Sequence, residues 1–296
     1  MSDIRVWPKI SIVTPNLNHG QFLEVTIRSV LSQNYPNLEY IIIDGGSTDN
    51  SVEIIKKYAD RLAYWVSEPD KGQGNALNKG FSHSTGEILA WLNSIDTYLP
   101  WTFSVVAQCF NTHRDINWIT GCNSWWNVNG QLHSPAHVYK NIYDFLLGNY
   151  KWLQQESTFW RRSLWEKAGE RLNERYNLQV DGELWCRFFL LDELWHVDSI
   201  LGGYRDHPSR RTSMHYNEVI EAIETAISAL KNNCPDEIRK RAEILEYLKI
   251  IKRLFNFIRI NDFFPIFFRK FYDNISYKRL VFKDGSWIRT TSPFKL

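Results

Sequence analysis

The residues of this chain that could do chemistry stand where apolar runs end. After ILAWL the sequence reads Asn93-Ser94-Ile95-Asp96 and is closed by Pro100, a polar turn of the kind that can hold a divalent cation against a phosphate. Such a turn is expected to carry a second carboxylate beside Asp96, and Ile95 stands there instead. Thr14, Pro15 and Asn16 follow the run KISIVT, Asp44 ends LEYIIID, and Glu68, Asp70, Lys71 and Gly72 follow LAYWV. Each set alone is weak, since an aspartate before two glycines is ordinarily a turn residue and Asp70 before Lys71-Gly72 ordinarily a solvated loop. Four sets closing four apolar runs are harder to assign to chance. A dinucleotide reading of GQGNA (72–76) fails on context, because the third glycine is missing and the first run does not lead into it.

The elements that must position these residues alternate. KISIVT (9–14) is a short β-branched strand, and 21–33 places Phe22, Leu23, Ile27, Val30 and Leu31 at helical spacing. LEYIIID (38–44) repeats the strand signal, and Ser47, Thr48 or Asp49 can cap the helix NSVEIIKKYAD. Strands over 62–68 and 87–93 follow, with a helix over 72–84 between them. Strands alternating with helices at this spacing predict an α/β fold, Rossmann-like, with a mainly parallel sheet flanked by helices and right-handed crossovers. Ligands of such sheets sit at the carboxyl ends of the strands, where the polar sets collect.

Farther on, Asp181 in QVDGELWCRFFLL opens an apolar helix, a position at which an aspartate commonly serves as a cap. Glu183, two residues later, would point away from it. GGYRDHPSRRTS (202–213) places Arg205, His207, Arg210 and Arg211 in one loop.

Composition bounds the rest. The 296 residues, 44% hydrophobic and 15% aromatic, suffice for one large core with an appendage. The four cysteines, at 109, 122, 186 and 234, lack metal-site spacing and fit a reducing, cytoplasmic setting. There is no basic start with a long apolar run behind it, and no stretch of about 18 uncharged apolar residues. The net charge of +2 is uneven: Asp236 to Leu296 holds 14 Lys and Arg against 7 Asp and Glu, a surplus of seven, which leaves −5 for residues 1–235. This basic tail is rich in Phe (LKIIKRLFNFIRINDFFPIFFRKFY). It reads either as helices at the inner face of an anionic membrane or as a helical cap whose Phe side chains pack on the main domain. Nucleic acid is not expected as a partner, because the acidic half would oppose it.

Residues 11–51, 67–100 and 154–188, ending in DGELWCRF, resemble the inverting glycosyltransferase family 2, of the nucleotide-diphospho-sugar transferase (GT-A type) fold; the resemblance covers about residues 9–210. It implies a transferase domain over 1–215, with a nucleotide-binding half (1–100) and an acceptor half (101–215), and leaves 216–296 as a basic, aromatic, helical C-terminal extension. In the family the loop after the first strand and the aspartate ending the second hold the nucleotide base, which maps to Thr14, Pro15, Asn16 and Asp44. Asp70, Lys71 and Gly72 approach the base and diphosphate. The acidic turn touches the ribose and a Mg²⁺ or Mn²⁺ ion on the diphosphate, which maps to Asn93, Ser94 and, for the metal, Asp96.

The resemblance also makes Asp181 the general base that takes the acceptor hydroxyl's proton. It makes the loop with Arg205 a segment that closes over the diphosphate, with His207 as a metal ligand. The implied partners are a nucleotide-sugar donor and a glycan or lipid-linked acceptor, in bacterial cell-surface polysaccharide or O-antigen assembly. Trp118, Trp125 and Trp126 either stack on a sugar or fill a hairpin core. Ile95 keeps two other readings open: leaving-group stabilisation without metal by Lys71, Arg205 or His207, and a nucleotide-sugar-binding protein without catalysis. A hydrolase with two carboxylates would ignore nucleotides. A processive synthase is not expected without spanning helices and a Gln-x-x-Arg-Trp motif, nor a nucleotidyltransferase with TPNLNHGQF as its first loop.

Overall fold

A computed structural model describes residues 7–149, 153–176, 178–206, 216–257 and 274–295. In chain order the elements are β1 (Ile10–Asn16), α1 (Gly20–Leu31), β2 (Leu38–Asp44), α2 (Ser51–Lys57), β3 (Tyr64–Ser67), α3 (Gln73–Ser82) and β4 (Ile88–Trp91). Then come β5 (Thr97–Tyr98), α4 (Thr102–Thr112), β6 (Trp118–Trp126), β7 (Leu132–Ala136), α5 (Ile142–Leu146), β8 (Thr158–Arg161) and α6 (Arg162–Lys167). The second half ends with α7 (Val180–Leu191), β9 (Trp195–Ile200), β10 (Gly202–Arg205), α8 (Tyr216–Asn233), α9 (Asp236–Phe257), β11 (Ser276–Lys283) and β12 (Ser286–Pro293).

β1 lies between β2 and β4, parallel to both, and β3 extends the row beyond β2. β1, β2 and β4 are buried on both faces, which is why they read as continuous apolar runs. β8 joins β4 to β6 antiparallel on each side, and β9 runs parallel to β6. The sheet order is β12-β11-β9-β6-β8-β4-β1-β2-β3, a mainly parallel α/β sheet. α2 starts at Ser51, with the Asp49 carboxylate accepting the Ser51 amide at 2.9 Å, although Asn50 holds the cap position and makes no cap bond.

One feature of the chain differs from expectation, and one open reading is decided. The extension is helical over α8 and α9, but its end is a hairpin: β11 pairs in parallel with β9, and β12 pairs antiparallel with β11. SYKRLVFK buries Tyr277 and Leu280 and pairs along its whole length with β12, so strand pairing outweighs the basic composition read as helix. Most of the Phe-rich run, 258–273, lies outside the described residues. Trp118 fills core rather than meeting a ligand: it is fully buried and stacks with Trp185 at 5.8 Å, while Trp125 and Trp126 end β6 half-buried.

The core of the second half is aromatic. Trp91 of β4, Trp118 of β6 and Trp160 of β8 meet Trp185 of α7 with ring centroids 5.8 Å away in each case. Trp185 lies four residues after Asp181, on the same helix face, and Trp91 lies two residues before Asn93. One packing cluster therefore fixes both the helix that carries Asp181 and the strand that delivers the acidic turn.

Candidate active site

At the end of β1 the three candidate residues do different things. Thr14 is fully buried, its hydroxyl 3.0 Å from that of Tyr40, and Pro15 is buried beside it, so neither side chain reaches the rim. Asn16 Nδ2 donates to Asp44 Oδ1 at 2.7 Å and to Ser47 Oγ at 3.2 Å, leaving Asn16 Oδ1 buried without a partner. Asp44 also accepts from Ser47 Oγ (2.5 Å), the Ser47 amide (2.9 Å) and Ser67 Oγ (2.6 Å). Burial opposes its charge, but these donors outweigh burial and hold its pKa below the usual carboxylate range. With two donors on each oxygen, Asp44 orients Asn16 and the following loop, and the open acceptor on this side is Asn16 Oδ1.

Asp70, half-buried, accepts the Gly72 amide at 2.7 Å, and its other oxygen lies against Gly45, where a Cβ would come within 2.5 Å. Glycine at 45 is what lets the loops after β2 and β3 touch. Gly72 has φ of 111°, a region that favours glycine, and it turns the chain into α3 with Lys71 exposed beside it. Gln73 Nε2 then donates to Asn93 Oδ1 at 2.7 Å, tying α3 to the acidic turn.

The turn itself is held from several sides. Thr26 of α1 donates to the carbonyls of Ser94 (2.9 Å) and Asp96 (2.7 Å), and Ser94 Oγ is 2.8 Å from His19 Nδ1. Asp96 is fully buried; Oδ1 accepts the Arg205 amide at 2.9 Å and Oδ2 accepts Asn93 Nδ2 at 3.3 Å. Burial pushes its pKa up to about 7, against the lowering by these donors. Arg205 reaches over the turn, donating from Nε to Ile95 O (2.8 Å) and from a terminal nitrogen to Val128 O (2.9 Å), with its guanidinium 5.2 Å from the Phe22 ring. Arg205 therefore clamps the turn.

The donor set does not suit a divalent ion at this turn. Ile95 has no ligand atom, Ser94 is buried with its hydroxyl on His19, and Asp96 is sealed with both oxygens engaged. Among the described residues there is no group of three or more His, Cys, Asp or Glu side chains arranged to hold a metal. Ligation of an ion by Asp96 would require these hydrogen bonds to open. His207, with Arg210 and Arg211, lies outside the described residues.

Asp181 is the second residue of α7, after Gln179 in the left-handed region at φ 72°. Gln179 holds the cap position without a side-chain cap bond. Burial raises the pKa of Asp181, tempered by the amides of Gly182 and of Asp181 itself, and no described side chain pairs with its carboxyl. Glu183 turns away to Arg187 at 2.8 Å, as helical spacing requires. A cavity of about 30 Å³ lies beside Asp181, walled by Phe145, Leu153, Trp185 and Ile223.

Sequence reasoning missed Glu156. It sits in the turn before β8, is 2% exposed, and has Oε1 buried without a partner. Burial, together with the negative charges of Asp96 and Asp181, pushes its pKa well up. No spacing signal marks it, since its neighbours come from segments far apart in the chain.

Comparison with known proteins accords with this geometry. Residues 11–191 match the family described as glycosyl transferase family 2. A glycosyltransferase of Rickettsia typhi is 37% identical over 224 residues, 72% of this chain and 69% of that protein. One of Nostoc sp. is 30% identical over 183 residues, 60% of this chain and 48% of its own length, and one of Mycobacterium tuberculosis is 39% identical over 92 residues, 35% of its length. The chain thus spans about half or less of those last two relatives.

Among solved structures, Staphylococcus aureus TarS (residues 1–349) in complex with UDP-GlcNAc superposes with a TM-score of 0.66 at 17% identity, covering 86% of this chain and 75% of that one. The mannosyltransferase PcManGT of Pyrobaculum calidifontis, in complex with GDP-Man and Mn²⁺, gives 0.60 at 16%, covering 83% and 71%. Those likenesses establish the fold, and the family match extends over most of the α/β sheet and through α7. This chain is a member of glycosyltransferase family 2.

Proposed function

We propose that the chain is an inverting glycosyltransferase that moves a sugar from a nucleotide-sugar donor to a glycan or lipid-linked acceptor in bacterial cell-surface polysaccharide assembly, of the O-antigen kind. The observation that carries this reading is the Asp181 carboxyl, raised in pKa and bordering an open cavity, on a helix locked by Trp185 to the strand that ends in the acidic turn. The bacterial relatives support the setting.

In this reading the donor lies along the rim. Asn93 meets the ribose, and Lys71 lies along the diphosphate. The acceptor enters beside α7. As its hydroxyl oxygen attacks the anomeric carbon, the bond from that carbon to the phosphate oxygen breaks on the opposite face, and the hydroxyl proton passes to Asp181. A base whose pKa is raised toward the working pH suits that transfer. The apolar cavity walls exclude water that would otherwise hydrolyse the donor.

Contact with an anionic membrane surface is a further part of the proposal, supported by exposed Ile244, Tyr247, Ile250 and Leu254 on α9. No helix among the described residues is long and apolar enough to cross a membrane. Cysteines 109, 122, 186 and 234 are all free and buried, in keeping with a cytoplasmic site of action.

A panel of nucleotide sugars tests the reading, with nucleoside diphosphate release and thermal shift followed together in the presence of glycan and lipid-linked acceptors. Release from one donor that depends on acceptor is expected. A thermal shift without release from any donor would leave a binding protein and overturn the transferase.

A further inference from the structure

We infer that this protein binds the diphosphate of its donor without a divalent ion held by the acidic turn; the inference rests on the nucleotide-sugar reading above. The turn offers no vacancy for one. Magnesium and manganese favour octahedral sites and keep several waters, so a ligand carboxylate must face solvent or the substrate. Asp96 faces neither: it is fully buried, one oxygen on the Arg205 amide and the other on Asn93.

The strand that buries it cannot easily step back. β10 pairs with β5 directly behind the turn, matching Gly202 with Tyr98 and Gly203 with Thr97. A Cβ at Gly202 would come within 2.1 Å of Glu156 O, and one at Gly203 within 2.4 Å of the Trp126 indole, so β10 is wedged against two neighbours. Arg205 then pins the outer side of the turn through Ile95 O and Val128 O. The other position from which the turn could reach out with a carboxylate is 95, and it holds isoleucine. Glu156 offers no substitute, being 2% exposed.

A diphosphate still needs positive charge. Arg205 is occupied with carbonyls and with the Phe22 ring, and Lys79 with Glu68 at 2.8 Å, whereas Lys71 is exposed on the rim where β3 turns into α3. Its ammonium meets the diphosphate as a mobile cation that can follow the leaving group as charge develops.

The test is calorimetric titration of the full chain with the diphosphates of uridine, guanosine, thymidine and cytidine, in EDTA and in MnCl₂. For whichever nucleotide binds, the two Kd values are expected to agree within about threefold, and Lys71→Ala to weaken binding in EDTA by about tenfold, the loss of one charged hydrogen bond. Ile95→Asp is expected to confer dependence on manganese, with binding at least about fivefold tighter in MnCl₂ than in EDTA. Should Ile95→Asp not fold, the wild-type comparison decides. Tightening of wild-type binding by Mn²⁺ of about tenfold or more, abolished in Asp96→Asn, would overturn the inference and leave the nucleotide-sugar reading standing. Failure of every nucleotide to bind in either buffer would overturn that reading and the inference with it.

Discussion

Trp185 stacks on Trp91 with ring centroids 5.8 Å apart and planes inclined by 10°. Trp185 follows Asp181 by one helical turn, and Trp91 is the last residue of β4 before Leu92 and the acidic turn. The separation of Asp181 and the acidic turn is thus set by the contact of two rigid rings, which accommodates little change without loss of packing.

Trp185→Ala should cost roughly 3–5 kcal/mol of stability in urea titration, as expected for emptying a site of that size. The more telling variant is Trp185→Phe. It keeps an apolar ring but shortens the reach between α7 and β4, so kcat should fall by about tenfold while the Kd for the donor nucleotide stays put. Equal losses in kcat and nucleotide affinity would show that the stack supports the fold as a whole and does not position Asp181.

Much of this arrangement can be read from the chain. Continuous β-branched runs such as LEYIIID have one stable solution, a strand buried on both faces, and the polar residue that follows must then lie at the sheet's carboxyl edge. Asp44, Asp70, Asn93 and Asp96 fall there for that reason. Which way each side chain points is another matter. Asp44 turns inward onto Ser47 and Ser67, and Asp96 is sealed by the amide of a residue 109 positions away, so their partners follow from tertiary packing that local pattern does not encode. Glu156 was invisible for the same cause. The closing hairpin was hidden by composition, since Lys and Arg on its exposed face resemble those of a basic helix.

Asp181→Asn should lower kcat by about 10²–10⁴-fold and leave nucleotide affinity within about twofold, because it removes a proton acceptor without altering shape. The wild-type rate should rise with pH through a value above the ordinary aspartate pKa, in the direction set by the burial of Asp181. A rate profile flat through the acidic range, or near-normal turnover by the asparagine variant, would remove Asp181 from this role.

Asp96 and Glu156 make an opposite demand on stability. Both have folded pKa values raised by burial, to about 7 for Asp96, so the folded state holds protons that the unfolded chain releases near pH 4. Stability from these groups is therefore full below about pH 4 and declines as pH rises toward 7 and beyond. Glu39 works in another window: burial is outweighed by its bonds to Lys9, Ser11 and Thr85, its pKa falls to about 2, and its contribution is lost only in stronger acid. Urea titrations at pH 5.5 and pH 8, about either side of the Asp96 value, should show the wild type weaker at pH 8 and the difference reduced in Asp96→Asn. An Asp96→Asn difference as large as that of the wild type would mean that Asp96 is charged in the folded protein throughout.

Removal of residues 274–296 tests whether the end of the chain is an appendage or part of the sheet. β11 covers the edge of β9, and Arg279 pairs with Asp198 of that strand. Leu280, Tyr277 and Trp287 are buried there, and each contributes roughly 1.5–3 kcal/mol when fully removed from water. Their loss, with the backbone of β9 left unpaired at an edge, should lower stability by roughly 5 kcal/mol and promote aggregation. The readout is the urea midpoint of the truncated chain against that of Arg279→Ala, which breaks the ion pair and leaves the strand in place. A truncated chain as stable and monomeric as the full one would show that the sheet is complete at β9. Any loss of vesicle binding on cutting before Asp236 could then be assigned to residues 236–273, because the underlying fold would be intact.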